Sequence, residues 1–145
     1  TGTVFFLLSN PEYTITAPGN TQSVACVSYY NGADNSIAVS SGRGYTRINE
    51  NKPDIAAPGV NVTGVNLRGQ FTARTGSSIA TALTAGAEVL LMEWLDRRGE
   101  VADSVQIKNL LILGAERSES RIYPNREWGY GALNLYQTFE AIRRL

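Results

Sequence analysis

The chain has 145 residues, enough for one domain with a real core or for part of a larger one. A hydrophobic fraction of 43% against a charged fraction of 18% describes a well-packed globular chain. Thirteen basic residues balance thirteen acidic ones, which argues against nucleic-acid or membrane-surface partners, since these usually show as a basic excess. In chain order, Thr3–Leu8 reads as a buried strand, broken by Ser9-Asn10-Pro11, and Tyr13–Thr16 as a second short strand. Ala17-Pro18-Gly19-Asn20 is a turn, and Ser23–Tyr29 is a strand and core candidate. Asn31–Asn35 is a loop, and Ile37–Ser40 is a short extended piece closed by Ser41–Gly44. Tyr45–Lys52 is polar and irregular. Pro53–Gly59 brackets a buried strand between two prolines. Strands are expected over Val60–Val65 and Phe71–Ala73, around a turn at Leu67–Gln70.

The second half is helical. A long helix is expected from about Ser78 to Arg97, with Gly99 in the stop position. Its crowded apolar face reads Ile79, Ala82, Leu83, Gly86, Val89 and Leu90, with Trp94 one turn on. Asp103 with Gln106 resembles a capping box that opens a helix over Val105–Leu113, ended by Gly114. Arg117–Glu127 is a connector, Trp128–Gly131 a tight aromatic-glycine turn, and Asn134 a cap for a last helix over Leu135–Arg144. There is no internal repeat, low-complexity tract or linker, which points to one compact unit of strands first and helices after. No apolar run is expected to approach the roughly 20 residues of a membrane span. No signal peptide is visible, and with Thr1 in first place the start is expected to be internal or processed.

Chemistry concentrates at Thr75–Ala87, TGSSIATALTAGA. Ser78 falls at a helix N-terminus, where the first backbone N–H groups lack intrahelical partners and the dipole favours negative charge. A serine there can be a nucleophile whose oxyanion product is held by its own N–H, or a plain N-cap. The chain contains no histidine, so neither a Ser-His-Asp triad nor a histidine-ligated metal site can be assembled within it. The single cysteine, Cys26, excludes an internal disulfide and a cysteine-based zinc cage, and reads as a buried inert thiol.

Gly76, Ser78, Ala80, Ala85 and Gly86 resemble the nucleophile segment of the subtilisin-like serine proteases, a Gly-Thr-Ser-x-Ala run opening a central buried helix. Ser77 replaces the usual threonine and Ala82-Leu83 the usual Pro-His; neither position is a triad member in the family. Four further segments agree in the family's order. Ala17-Pro18-Gly19 with Ser23-Val24 and Val27 is similar to the pocket-wall turn and the core strand after it. Ser40–Gly44 resembles the Ser-Ser-Arg-Gly loop with an extra glycine. Lys52–Val60 is close to the Lys-Pro-Asp-x-x-Ala-Pro-Gly signature, and Gly129-Tyr130-Gly131 with Leu133-Asn134 resembles the turn before the terminal helix. The match spans roughly Thr14–Ala141. Thr1–Pro11 is similar to the segment just after an inserted β-rich domain in the clostridial spore-germination branch, so residues 1–13 read as the return from such a domain.

The resemblance implies an α/β fold: residues 1–145 as the C-terminal part of a subtilisin-like peptidase domain of three layers, with a mostly parallel sheet flanked by helices. It implies a serine endopeptidase with Ser78 as nucleophile, whose catalytic Asp and His and oxyanion Asn lie upstream of the matched region. The isolated chain is then expected to be inactive. Thr16, Ala17, Pro18 and Gly19 would form a wall of the primary specificity pocket, and Arg74, Thr75 and Gly76 would line the cleft beside the nucleophile. Asn10 and Asn20 lack the family's Ala-Gly-Asn context and read as turn residues; Asp54 reads as a structural hydrogen-bond acceptor. No cofactor and no metal is implied. The partners implied are a protein or peptide substrate and the missing N-terminal half, with a dimer of these residues covering the edge and face that a half-sheet exposes. Neither nucleic acid nor membrane is among them. The family suggests an extracellular or spore- or cell-envelope-associated location. Two other readings compete: a pseudoprotease that binds peptide or signals without cleaving, and a structural module whose Ser78 merely caps a helix.

Overall fold

The computed structural model describes residues 7, 8 and 10–144. Among these described residues, five short strands form a three-stranded sheet and a separate hairpin. The centre of the sheet is β1 (Val27–Asn31). The two-residue β2 (Ser36–Ile37) meets it antiparallel, with Tyr30 opposite Ile37. On its other side β3 (Ile55–Pro58) runs parallel, with Val27 opposite Ile55 and Tyr29 opposite Ala57. Ser28, Tyr29 and Tyr30 are all buried, as in a strand covered on both faces. The two covers differ. Tyr29 and Ala57 pack on Ala80, whereas Tyr30 and Ala56 pack on Trp128, its ring 4.9 Å from that of Tyr30.

β4 (Val62–Val65) and β5 (Phe71–Arg74) make the antiparallel hairpin, which leads directly into α1 (Ser77–Asp96). α1 lies across β1 and β3. It carries four alanines and four leucines and no proline, with Gly86 its weakest helix former. It stops at Gly99, whose φ of 73° suits glycine: Glu100 N–H reaches Leu95 O and Gly99 N–H reaches Asp96 O, the Schellman pair. α2 (Ser104–Leu113) opens on the expected capping box, Asp103 and Gln106 each bonding the other's backbone N–H. α3 (Leu135–Ile142) is capped by Asn134, which accepts from Gln137 N–H. Ile55, Leu91, Leu95, Ile107, Leu111 and Ala115 form the core shared by the sheet and the helices. This is the mixed α/β architecture that the resemblance implies.

Several expectations are corrected. The face of α1 that is buried is Ala80, Thr84, Ala87, Leu91 and Leu95, not the Ile79–Leu90 stripe. Val89, Leu90, Met92 and Leu83 are 62%, 54%, 52% and 42% exposed. The helix is apolar nearly all round, so periodicity identifies a helix here without choosing its face; such a helix suits burial on every side. For the same reason α1, with 20 residues and an 18-residue window of mean hydropathy 1.2, is long and apolar enough to cross a membrane by length and composition, contrary to the expectation from the sequence. The strand expected at Ser23–Tyr29 begins at Val27, because its partner β3 begins only at Ile55, after Pro53. Tyr13–Thr16 is not a strand: Tyr13 has φ 58°, and Thr14 N–H bonds Arg43 O with no ladder around it. Of the strand expected at Thr3–Leu8, residues 3–6 lie outside the described residues, and Leu7 and Leu8 are exposed bends.

Candidate active site

The start of α1 is set by two contacts between neighbouring loops. Gly76 N–H donates to Gly59 O at 2.8 Å, and Asn61 N–H donates to Thr75 Oγ1 at 2.9 Å. Gly76 then takes φ 155° and ψ 161°, a backbone region that L side chains rarely adopt, and the chain turns into the helix at Ser77. Ser78 is thus the second helical residue. It is not the cap: the N-cap is Gly76, and no side chain caps the helix. The Ser78 hydroxyl is exposed and has no hydrogen-bond partner among the described residues. The N–H groups of Ser77 and Ser78 find no backbone acceptor among the described residues, whereas Ile79 N–H already bonds Gly76 O at 3.1 Å. An uncapped serine among free N–H groups at the positive end of a 20-residue helix is placed to present a nucleophile and to hold negative charge on it. The chain has no histidine to act as its base.

A cleft of about 650 Å³ opens beside this turn. Thr16, Ala17, Pro18 and Gly19 line it together with Ser77 and, one helical turn on, Thr81. The expected wall and the serine turn are therefore brought together. Ser40, Ser41 and Gly42 also line it, and their Ser-Ser-Gly pattern was the signal available in the sequence. Arg74, Thr75 and Gly76 do not line this cleft. The Thr75 hydroxyl is engaged by Asn61 N–H, and Arg74 is exposed with no ion-pair partner among the described residues. The Asn10 side chain accepts Glu12 N–H at 2.9 Å, as a turn residue does.

Behind the cleft, a buried charge cluster ties three segments together. Asp54 Oδ2 accepts Lys52 Nζ at 2.6 Å and Cys26 N–H at 2.7 Å, while Lys108 Nζ stands 3.5 Å from Oδ1. Lys52 also donates to Val24 O, and Lys108 to Gln22 O. Asp54 is the structural acceptor that its sequence context suggests. Lys108, from the middle of α2, carried no sequence signal for joining it. Burial, and then the Asp54 carboxylate, push the Cys26 thiol up to about 11, against the weaker opposing effect of Lys52, so the thiol stays protonated. No group of three or more His, Cys, Asp or Glu that could hold a metal ion occurs among the described residues.

This geometry defines a class: an α/β domain that presents a serine at the N-terminus of its central helix. The chain belongs to the subtilase family, whose model matches residues 8–131. It is 32% identical over 99 residues, 68% of its length, to the membrane-bound transcription factor site-1 protease of Mus musculus. The human protein of that name matches to the same extent, and these residues span 9% of either relative. Among solved structures, the Clostridium perfringens CspB protease superposes with a TM-score of 0.88 at 32% identity, over 96% of this chain and 31% of that one. The self-cleaved protease domain of PatA, with a TM-score of 0.74 at 24% identity over 93% of this chain and 47% of its own, shares the fold.

Proposed function

We propose that this chain is the nucleophile-bearing C-terminal part of a serine endopeptidase that hydrolyses peptide bonds through Ser78. The observation that carries the reading is the uncapped, unpartnered Ser78 at the head of α1, beside a cleft walled by Thr16–Gly19. In this reading Ser78 Oγ attacks the substrate carbonyl, and the Ser78 N–H is one donor to the resulting oxyanion. The histidine that accepts the Ser78 proton, the aspartate that orients it and the asparagine of the oxyanion hole are carried outside these 145 residues. Removing the histidine alone costs such a triad about 10⁶ in turnover, so the 145 residues by themselves do not turn over. The open side of the cleft and the exposed face of α1 are where the rest of the peptidase domain packs. Thr16–Gly19 receive the side chain before the scissile bond, and Arg74–Gly76 run beside the peptide. No cofactor takes part.

The test is labelling of the full-length protein by a fluorophosphonate, with a Ser78→Ala variant and the isolated 145-residue chain alongside. The full-length protein is expected to label, and the variant and the isolated chain are not. A folded, mature full-length protein that does not label overturns the reading in favour of a pseudoprotease that binds peptide without cleaving it.

A further inference from the structure

The segment that walls the cleft, residues 10–20, has no regular secondary structure and is mostly exposed. No ladder fixes it; Gly19 packs against Cys26, and its polar contacts to the rest of the fold lie at its upstream end. Those contacts converge on two arginines. Thr14 N–H donates to Arg43 O at 2.9 Å, and Arg43 N–H returns a bond to Thr14 Oγ1 at 2.8 Å. Arg43 Nε donates to Glu127 Oε1 at 2.8 Å. The guanidinium of Arg126 pairs with Glu12 and lies between two rings, 5.8 Å from the Tyr13 centroid and 5.2 Å from that of Tyr45. Arg126 O also accepts Gly44 N–H. This second anchor is itself rigidly mounted: Ser28 Oγ, on β1, donates to Glu127 O at 2.6 Å, and Asn125 Oδ1 accepts the N–H of Glu127 and Trp128. The chain from the sheet through Arg126 to Glu12 and Tyr13 ends three residues before Thr16.

We infer that Arg126 is a positioning residue for substrate selectivity: by clamping Glu12 and Tyr13 it sets where Thr16–Gly19 stand, and so the width of the pocket beside Ser78. The inference rests on the peptidase reading above. Arg126 lines neither the cleft nor the serine turn, so its loss leaves the reactivity of Ser78 intact and changes only which side chain fits. The ion pair is partly exposed and the two ring contacts are wet, so the clamp is of modest strength. The expected effect is a change of about fivefold in discrimination, with no collapse of activity.

The experiment uses the full-length protein, wild type, Arg126→Ala, Arg126→Lys and Glu12→Gln. For each, the rate of fluorophosphonate labelling is measured. So is the ratio of kcat/KM between two peptides that differ only in a bulky or small residue before the scissile bond. Arg126→Ala is expected to label at the wild-type rate while the ratio moves about fivefold towards one, mainly through KM. Glu12→Gln should move it in the same direction, and Arg126→Lys, which keeps a cation between the rings, should retain most of it. An unchanged ratio in both Arg126→Ala and Glu12→Gln, in a wild-type protein that labels and cleaves, overturns the clamp alone. A parallel fall in labelling and in both peptides also overturns it, since that is a loss of folding. A wild type that neither labels nor cleaves overturns the peptidase reading and the selectivity role with it.

Discussion

Replacing Asp54 tests the buried cluster that fastens the start of β3 to the segment leading into β1 and to α2. Asp54 and Lys52 are 5% and 3% exposed, and Lys108 is buried beside them, so one carboxylate stands against two ammonium groups. Asp54→Ala strands both cations and deprives Cys26 N–H of its acceptor at 2.7 Å. Removing one partner of a buried pair costs about 3–5 kcal/mol. An orphaned buried N–H adds about 1–3 kcal/mol, and the terms overlap because they share a site. The expected loss is about 4–6 kcal/mol, against a total stability of about 5–15 kcal/mol for a domain. Asp54→Asn keeps an oxygen for Cys26 N–H and should lose less, about 3 kcal/mol. Lys108→Met is the control. It removes the surplus positive charge, keeps the Lys52–Asp54 pair and leaves only the carbonyl of Gln22, an exposed residue, without its donor, so its effect should stay within about 1 kcal/mol. Urea unfolding with linear extrapolation reads all three, provided the m-values agree. A loss below about 1 kcal/mol for Asp54→Ala, or Lys108→Met as damaging as Asp54→Ala, would refute the reasoning.

Three further outcomes are expected. Ser78→Ala should alter the stability of the isolated chain by less than about 0.5 kcal/mol, whereas a capping serine would cost about 1 kcal/mol; urea titration separates the two. Burial holds the carboxyl of Glu88, on α1, above its ordinary value of 4.5. Its contribution to stability is therefore present below that value and lost as pH rises through the folded pKa, so Glu88→Gln should raise Tm at pH 7 and leave it unchanged near pH 4. An equal shift at both pH values would contradict this. Finally, the exposed apolar face of α1 should make the isolated 145-residue chain self-associate, and Leu90→Lys should weaken that association in light scattering. A monodisperse 15.7 kDa wild-type monomer with a sharp melt would contradict it.

Much of the secondary structure was legible because its signals are local. The Asp103–Gln106 box, the Asn134 cap and Gly99 each act within a few residues, and all three helices lie within two residues of their expected ends. Strand ends were less legible, because a strand ends where its partner does: Val27 begins β1 only because Ile55 begins β3. The composition of the chain also settled that these 145 residues hold no histidine, and its motifs singled out Thr75–Ala87 as the stretch where nucleophile chemistry is expected.

What only the tertiary structure decided are matters of direction and of distance between residues far apart in sequence. It chose between cap and free hydroxyl for Ser78, since Gly59 O and Asn61 N–H fix the turn so that Gly76, not a serine, precedes the helix. It chose the buried face of α1, which an all-round apolar sequence leaves undetermined. It brought Lys108 to Asp54, and Arg126 to Glu12 across 114 positions of sequence. Local propensity carries no record of such pairs, because each is held by a side chain whose partner is fixed only once the sheet and the helices have packed.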